Sequence, residues 1–191
     1  GSTWVTGSYD AATNTIIWGV GNPGPDWDNA FRPGDNLYTD SSLAVDADTG
    51  KIKWHFQHTP NDPYDYDSVS ENVLVDVDGK KLALHANRNG FGYAVDRTDG
   101  KFQWATPFVK KVTWTKGINQ QTGKPEEYDP KLDVQHYNVS ATPSRDNKIA
   151  DFCPGNMGGK NWPPTSYNPE YITPLNTEFR NLYLMEILID S

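Results

Sequence analysis

At 191 residues the chain is long enough for one domain with a real core. Twenty-five acidic against 17 basic residues give a net charge of -8 with no basic run, which argues against a nucleic-acid partner. No apolar stretch is long enough to span a bilayer, and 16 Gly and 14 Pro scattered among 7 Trp and 10 Tyr make a turn-rich chain rather than a disordered one.

The chain opens GSTWVTGSYD, strand-like from the start and with neither Met nor signal peptide. This predicts an internal piece of a longer protein, or a trimmed one, with any targeting sequence upstream. TNTIIWGVG follows as a second strand, then the Pro/Gly-rich loop GNPGPDWDNAFRPGDN. LAVDADTGKIKW reads as a strand, a tight turn at Thr49-Gly50 and a second strand.

PYDYDS, residues 63 to 68, places two aspartates one residue apart just before an extended-looking run. In a strand, Asp65 and Asp67 would share one side and repel unless water, a cation or a proton separated them. An acidic, solvated strand entrance and a metal ligand beside a catalytic base both satisfy that spacing. NVLVDVDG and KLALHANR are further strands, and YAVDRTDGKFQW is another strand-turn-strand unit. No amphipathic helix is evident before residue 170, where ITPLNTEFRNLYLMEILIDS loses the Gly/Trp punctuation and becomes Leu/Ile-rich. Cys153, the single cysteine, is either a lone thiol or half of a disulfide with a partner outside the chain.

The two strand-turn-strand units are copies. Ala44, Val45, Asp46, Gly50, Lys51 and Trp54 recur 50 residues later as Ala94, Val95, Asp96, Gly100, Lys101 and Trp104. A glycine suits a turn position with positive φ, and the closing Trp offers a large apolar surface for docking on a neighbouring unit. Short-strand repeats of this length predict an all-β fold of β-propeller type, with about four blades' worth of chain in an incomplete ring.

The repeat A-V-D-x-x-x-G-K-x-x-W resembles the tryptophan-docking motif of the quinoprotein alcohol dehydrogenases, from about residue 2 to about residue 168. The resemblance implies about half of an eight-bladed propeller carrying pyrroloquinoline quinone (PQQ). It assigns residues 1–171 to that partial propeller and 172–191 to an atypical tail whose native origin is left open. It further implies that Trp4 forms the floor under the PQQ ring and that Asn22, in GNPGPDW, ligates a metal through its side-chain oxygen. Asp65 falls at the family's catalytic aspartate, a metal-bound general base that takes the alcohol proton as hydride passes to quinone carbon C5. Asp67 stands where lanthanide-dependent members carry an extra carboxylate and calcium-dependent members a small uncharged residue. A trivalent ion gains more from an added anionic oxygen, so the implied metal is a lanthanide, with calcium the alternative. Arg88, in HANRNG, matches the arginine that approaches the quinone oxygens near the catalytic aspartate, and Asn161, in GGKNW, a residue that hydrogen-bonds PQQ. His58 and His85 match no family role and read as structural.

The implied parent is a periplasmic enzyme that oxidises small primary alcohols and passes electrons to a c-type cytochrome, with room for a homodimer of the full-length protein. A glutamate metal ligand and an adjacent-cysteine pair are expected upstream of residue 1. The chain alone is therefore expected to hold PQQ and metal poorly and to be inactive, with open blade edges that invite aggregation. The alternative is a non-catalytic propeller of the same repeats acting as a scaffold, which would keep the docking tryptophans but not the site residues.

Overall fold

The computed structural model describes residues 1–167, so the predicted tail at 172–191 lies outside the described residues. Ten strands build the described part of the chain. β1 (Ser8–Asp10), β2 (Thr15–Gly19), β3 (Ser41–Asp46) and β4 (Ile52–Gln57) form one four-stranded antiparallel sheet in sequence order. β5 (Val73–Val77), β6 (Lys80–Ala86), β7 (Phe91–Asp96) and β8 (Phe102–Pro107) form a second of the same topology. β9 (Tyr128–Asp129) and β10 (Val134–Gln135) make a small separate ribbon. The fold is all-β and a partial propeller, as expected. Two four-stranded blades are complete among the described residues, fewer than the length suggested, because residues 108–167 go almost entirely into loops.

Both copies of the repeat are the third and fourth strands of a blade, and their local chemistry is the same. The β3–β4 and β7–β8 ladders each shift register at the equivalent point, Ala44/Val45 and Ala94/Val95. In the first turn the Asp46 carboxylate accepts from the Asp48 and Thr49 amides, while Gly50 N donates to Asp46 O (2.8 Å). In the second, Asp96 accepts from Thr98 N (2.8 Å) and Gly100 N donates to Asp96 O (2.8 Å). The repeated Asp is thus an internal cap for its own turn, which is why it recurs. A third turn of this kind, Asn119 to Lys124, has the same bonds: Gly123 N to Asn119 O (2.8 Å) and Asn119 N to Lys124 O (2.9 Å). The sequence reading missed it because Asn replaces Asp and no Trp follows at the repeat spacing.

Trp54 docks one blade on the next. Its indole nitrogen donates to Arg97 O (3.2 Å), and its ring lies over Gly100, where an added Cβ would come within 2.7 to 3.0 Å of the ring atoms. Gly100 also has φ +75°, so both the backbone and the close approach call for glycine. Trp104, the equivalent residue of the second blade, is partly buried. Around Trp54 a core of Ile17, Ala44, Ala83 and Val95 closes the space between the blades. At about 25 cal/mol per Å², burying an indole of about 150–250 Å² contributes roughly 4–6 kcal/mol as an upper bound. Arg97 adds a polar strap, with Nε on Asp10 Oδ2 (3.0 Å) of the first blade and Nη1 on Asp76 Oδ1 (2.7 Å) of its own.

A second core lies under the loops: Tyr64, Tyr66, Phe91, Tyr93, Ala105, Trp114 and Ile118. It holds the PYDYDS segment in place, so the loops that carry the acidic residues are packed rather than free.

Candidate active site

The PYDYDS segment, placed by its sequence just before an extended run, is a loop; no strand lies between Gln57 and Val73. Tyr64 and Tyr66 are fully buried in the second core, and Asp62 fixes the loop by accepting from the amides of Tyr64 (2.7 Å) and Tyr66 (2.6 Å). Asp65, between them, takes the left-handed conformation (φ +62°), which aspartate tolerates better than most residues. The aromatic positions drive the packing, and the two aspartates are left to meet Arg88.

Arg88 follows β6 and is 9% exposed, so it is not the surface arginine its loop position would allow. Its Nη1 donates to the backbone oxygen of Asp65 (2.6 Å) and stands 3.6 Å from Asp65 Oδ1 and 3.5 Å from Asp67 Oδ2. Its Nη2 donates to Asn161 Oδ1 (3.2 Å). Gly158 lies against this side chain: an added Cβ would sit 2.5 to 2.6 Å from Arg88 atoms, and its φ is +77°. Arg88 Nε is buried without a hydrogen-bond partner among the described residues.

Asn22 joins the cluster from the long loop after β2. Its backbone N donates to Asp67 Oδ1 (2.8 Å), and its side-chain nitrogen donates to Asp26 Oδ1 (3.0 Å). Gly21 N in turn donates to Ser2 O (2.8 Å), which holds the start of the chain alongside. Trp4, 49% exposed, touches none of the other five residues through a hydrogen bond or ring contact, although Trp18 Nε1 anchors the neighbouring Val5 O (2.7 Å). The structure therefore brings Asn22, Asp65, Asp67, Arg88 and Asn161 together, and Trp4 stands half exposed without a bond to them.

Burial is the main influence on Asp65. With help from Asp67 and Asp26, and against Arg88, it pushes the carboxyl up to about 6. Asp62 is driven up to about 7, chiefly by burial, against the two tyrosine amides and Arg32. Asp40 is fully buried, with both carboxylate oxygens lacking hydrogen-bond partners among the described residues. Burial first, then Asp62 and Asp67, hold its carboxyl well above the usual range. Sequence reasoning missed Asp40 and Asp62. For Asp62 the signal was there: an Asp directly before Pro and two residues before a buried Tyr marks an Asx turn. Nothing local marks Asp40. Arg32 was missed too; it ties the Asn22 loop to the aspartate loop through Asp26 O (3.0 Å) and Asp62 O (2.6 Å).

His58 and His85, which the sequence reading left without a family role, are both buried. They stack at 4.4 Å deep between the blades, with Nε2 of His58 against Ser42 Oγ (3.0 Å) and Nε2 of His85 against Asn87 Nδ2 (3.1 Å). Cys153 is a free thiol among the described residues, its Sγ on Lys111 O (3.2 Å).

The donors suit a hard cation. Asp65 Oδ1 and Asp67 Oδ2 face Arg88 at distances too long for hydrogen bonds, and the Asn22 carbonyl oxygen has no hydrogen bond among the described residues. Among the described residues no three His, Cys, Asp or Glu side chains are spaced to hold an ion. Two carboxylates and one amide oxygen are donor types that a hard cation takes, and they fall one carboxylate short of such a cluster.

Antiparallel blades docked through tryptophan, with a buried arginine and two carboxylates gathered by the connecting loops, define part of a β-propeller bearing a polar site. The PQQ family model, "Glucose/ethanol/alcohol dehydrogenase, beta-propeller domain", matches residues 1–108, and the chain belongs to that family. It is 42% identical over 182 residues to the quinoprotein ethanol dehydrogenase of Pseudomonas aeruginosa, covering 89% of this chain and 29% of that protein. It is 37% identical over 189 residues to the lanthanide-dependent methanol dehydrogenase of Methylacidiphilum fumariolicum, covering 95% and 29%. A solved europium-containing methanol dehydrogenase superposes with a TM-score of 0.77 at 35% identity, covering 89% of this chain and 28% of that one. The chain spans less than a third of the length of these relatives.

Proposed function

We propose that the protein containing this chain oxidises small primary alcohols to aldehydes with PQQ and a bound metal ion, and that residues 1–167 carry one side of its active site. The observation that carries this reading is Arg88, whose one guanidinium reaches Asp65 and Asp67 on one loop and Asn161 on another. When bound, PQQ supplies the two-electron acceptor and the metal ion a Lewis acid.

Each residue then has a task. Asp65 takes the hydroxyl proton of the alcohol, and its carboxyl near 6 suits a base working around neutral pH. Arg88 stands beside that carboxylate and would supply a fixed cation to the oxygens of a bound quinone. Asn22, Asp65 and Asp67 offer oxygen ligands to the metal, and Asp67 tilts the choice toward a lanthanide, with calcium the alternative. Asn161 hydrogen-bonds the cofactor beside Arg88, and Trp4 gives it a flat aromatic floor. A c-type cytochrome receives the electrons, and the parent works in the periplasm. No described helix is long and apolar enough to cross a membrane.

The experiment is reconstitution of the full-length protein with PQQ and either calcium or lanthanum, followed by dye-linked oxidation of methanol and ethanol. Activity with lanthanum and little with calcium, lost in Asp67→Ala, is expected. Equal activity with calcium would remove Asp67 from the metal site while leaving the alcohol dehydrogenase reading. No activity with either ion in a folded protein would favour the scaffold reading.

A further inference from the structure

The loop that carries Asn161 is held at its far side by groups that neither the repeat nor the candidate site accounts for. Lys160 Nζ lies 3.1 Å from Glu71 Oε1 and 3.0 Å from Glu71 Oε2, with side-chain exposures of only 14% and 20%. Glu71 Oε1 also accepts from the backbone N of Thr165. Next to it, Ser70 Oγ donates to Asn161 O (3.1 Å). On the near side, Gly159 N donates to Arg88 O (2.8 Å), and Asn161 Oδ1 accepts from both Arg88 Nη2 and Trp162 N (2.8 Å). Residues 158–165 are thus stitched along two lines, one to Arg88 and one to Glu71.

We propose that the Glu71–Lys160 pair is a positioning clasp that sets the cofactor-binding orientation of Asn161 on Arg88. The proposal rests on the functional reading above. A residue can hold an amide oxygen on a guanidinium only if its own backbone is fixed, and here the residue just before Asn161 supplies the fixing charge. The loop has almost no regular structure and includes two glycines, and among its ties to the rest of the described residues the Glu71–Lys160 contact is the one between opposite charges. A partly buried pair is screened less by salt than an exposed one, and its bidentate geometry defines one loop position. Removing one partner leaves the other charge buried and uncompensated, so the loop must move to solvate it.

The test uses the full-length protein without cofactor, then with PQQ. In Glu71→Gln and in Lys160→Met, amide hydrogen exchange at Gly159 and Trp162 is expected to speed up at least tenfold, with exchange in β2, β3, β6 and β7 unchanged. The dissociation constant for PQQ, read from quenching of tryptophan fluorescence, is expected to rise about tenfold in both. Lys160→Arg keeps the cation and is expected to stay near the parent in both readouts. Unchanged exchange in both charge-removing variants would overturn the clasp. So would acceleration spread equally over the blades, or faster loop exchange with unaltered PQQ binding. Failure of the unsubstituted protein to bind PQQ is a distinct result: it overturns the functional reading and this inference with it.

Discussion

Replacing Gly100 by alanine separates the two demands made on that residue. Its φ of +75° costs an L-residue about 1–2 kcal/mol, and its added Cβ would sit 2.7 to 3.0 Å from the Trp54 ring. Gly79, in the β5–β6 turn of the same blade, has the same φ of +75° but nothing within 4 Å of an added Cβ. Gly79→Ala is therefore expected to lose only the backbone contribution, about 1–2 kcal/mol. Gly100→Ala is expected to lose that and about 1–3 kcal/mol more, because a rigid indole buried between two blades cannot yield as a flexible side chain would. The assay is urea unfolding followed by tryptophan fluorescence, comparing midpoints at constant slope. Equal losses at the two positions would refute the claim that Trp54 docks on the Gly100 backbone. A larger loss at Gly79 would refute it more strongly.

Asp40→Asn, which needs no proton to stay neutral, is expected to stabilise the protein at pH 7 and to give no gain near pH 4. The sign follows from the raised carboxyl: the folded chain keeps a proton that the unfolded chain releases above about pH 4, so stability falls as pH rises. Urea melts at the two pH values check it, and a loss at pH 7 would sink it. Arg88→Gln is expected to move the Asp65 titration upward from about 6 in the metal-free and cofactor-free protein, because the nearest cation is gone. A carboxyl carbon NMR titration reads this directly; an unchanged or lower midpoint would show that Arg88 does not hold the Asp65 carboxylate.

Local chemistry made much of this protein legible in its sequence. The Asp-capped turn with its glycine is a self-contained unit, so its recurrence announced blades before any contact was known. Strands rich in β-branched residues, such as Thr15–Gly19 and Val73–Val77, were legible from their own composition. The alternation in PYDYDS left its secondary structure open, because a loop whose tyrosines plunge into a core shows the same period as a strand. The candidate site residues were named through family resemblance, whereas their assembly depended on contacts 23 to 73 residues apart in the chain.

Only the tertiary structure could decide which charges meet. Asp40, Asp62, Glu71 and Lys160 look like ordinary surface residues in sequence, since a single letter carries no record of burial. Docking the two blades and folding the 108–167 loops back over β5–β8 removes water from these groups. Once water is gone, the partner each charge finds sets its role: a clasp at Glu71, a loop cap at Asp62, and an unpaired carboxyl at Asp40. The repeat is written in bonds between near neighbours, and the site in desolvation that only the packed chain creates.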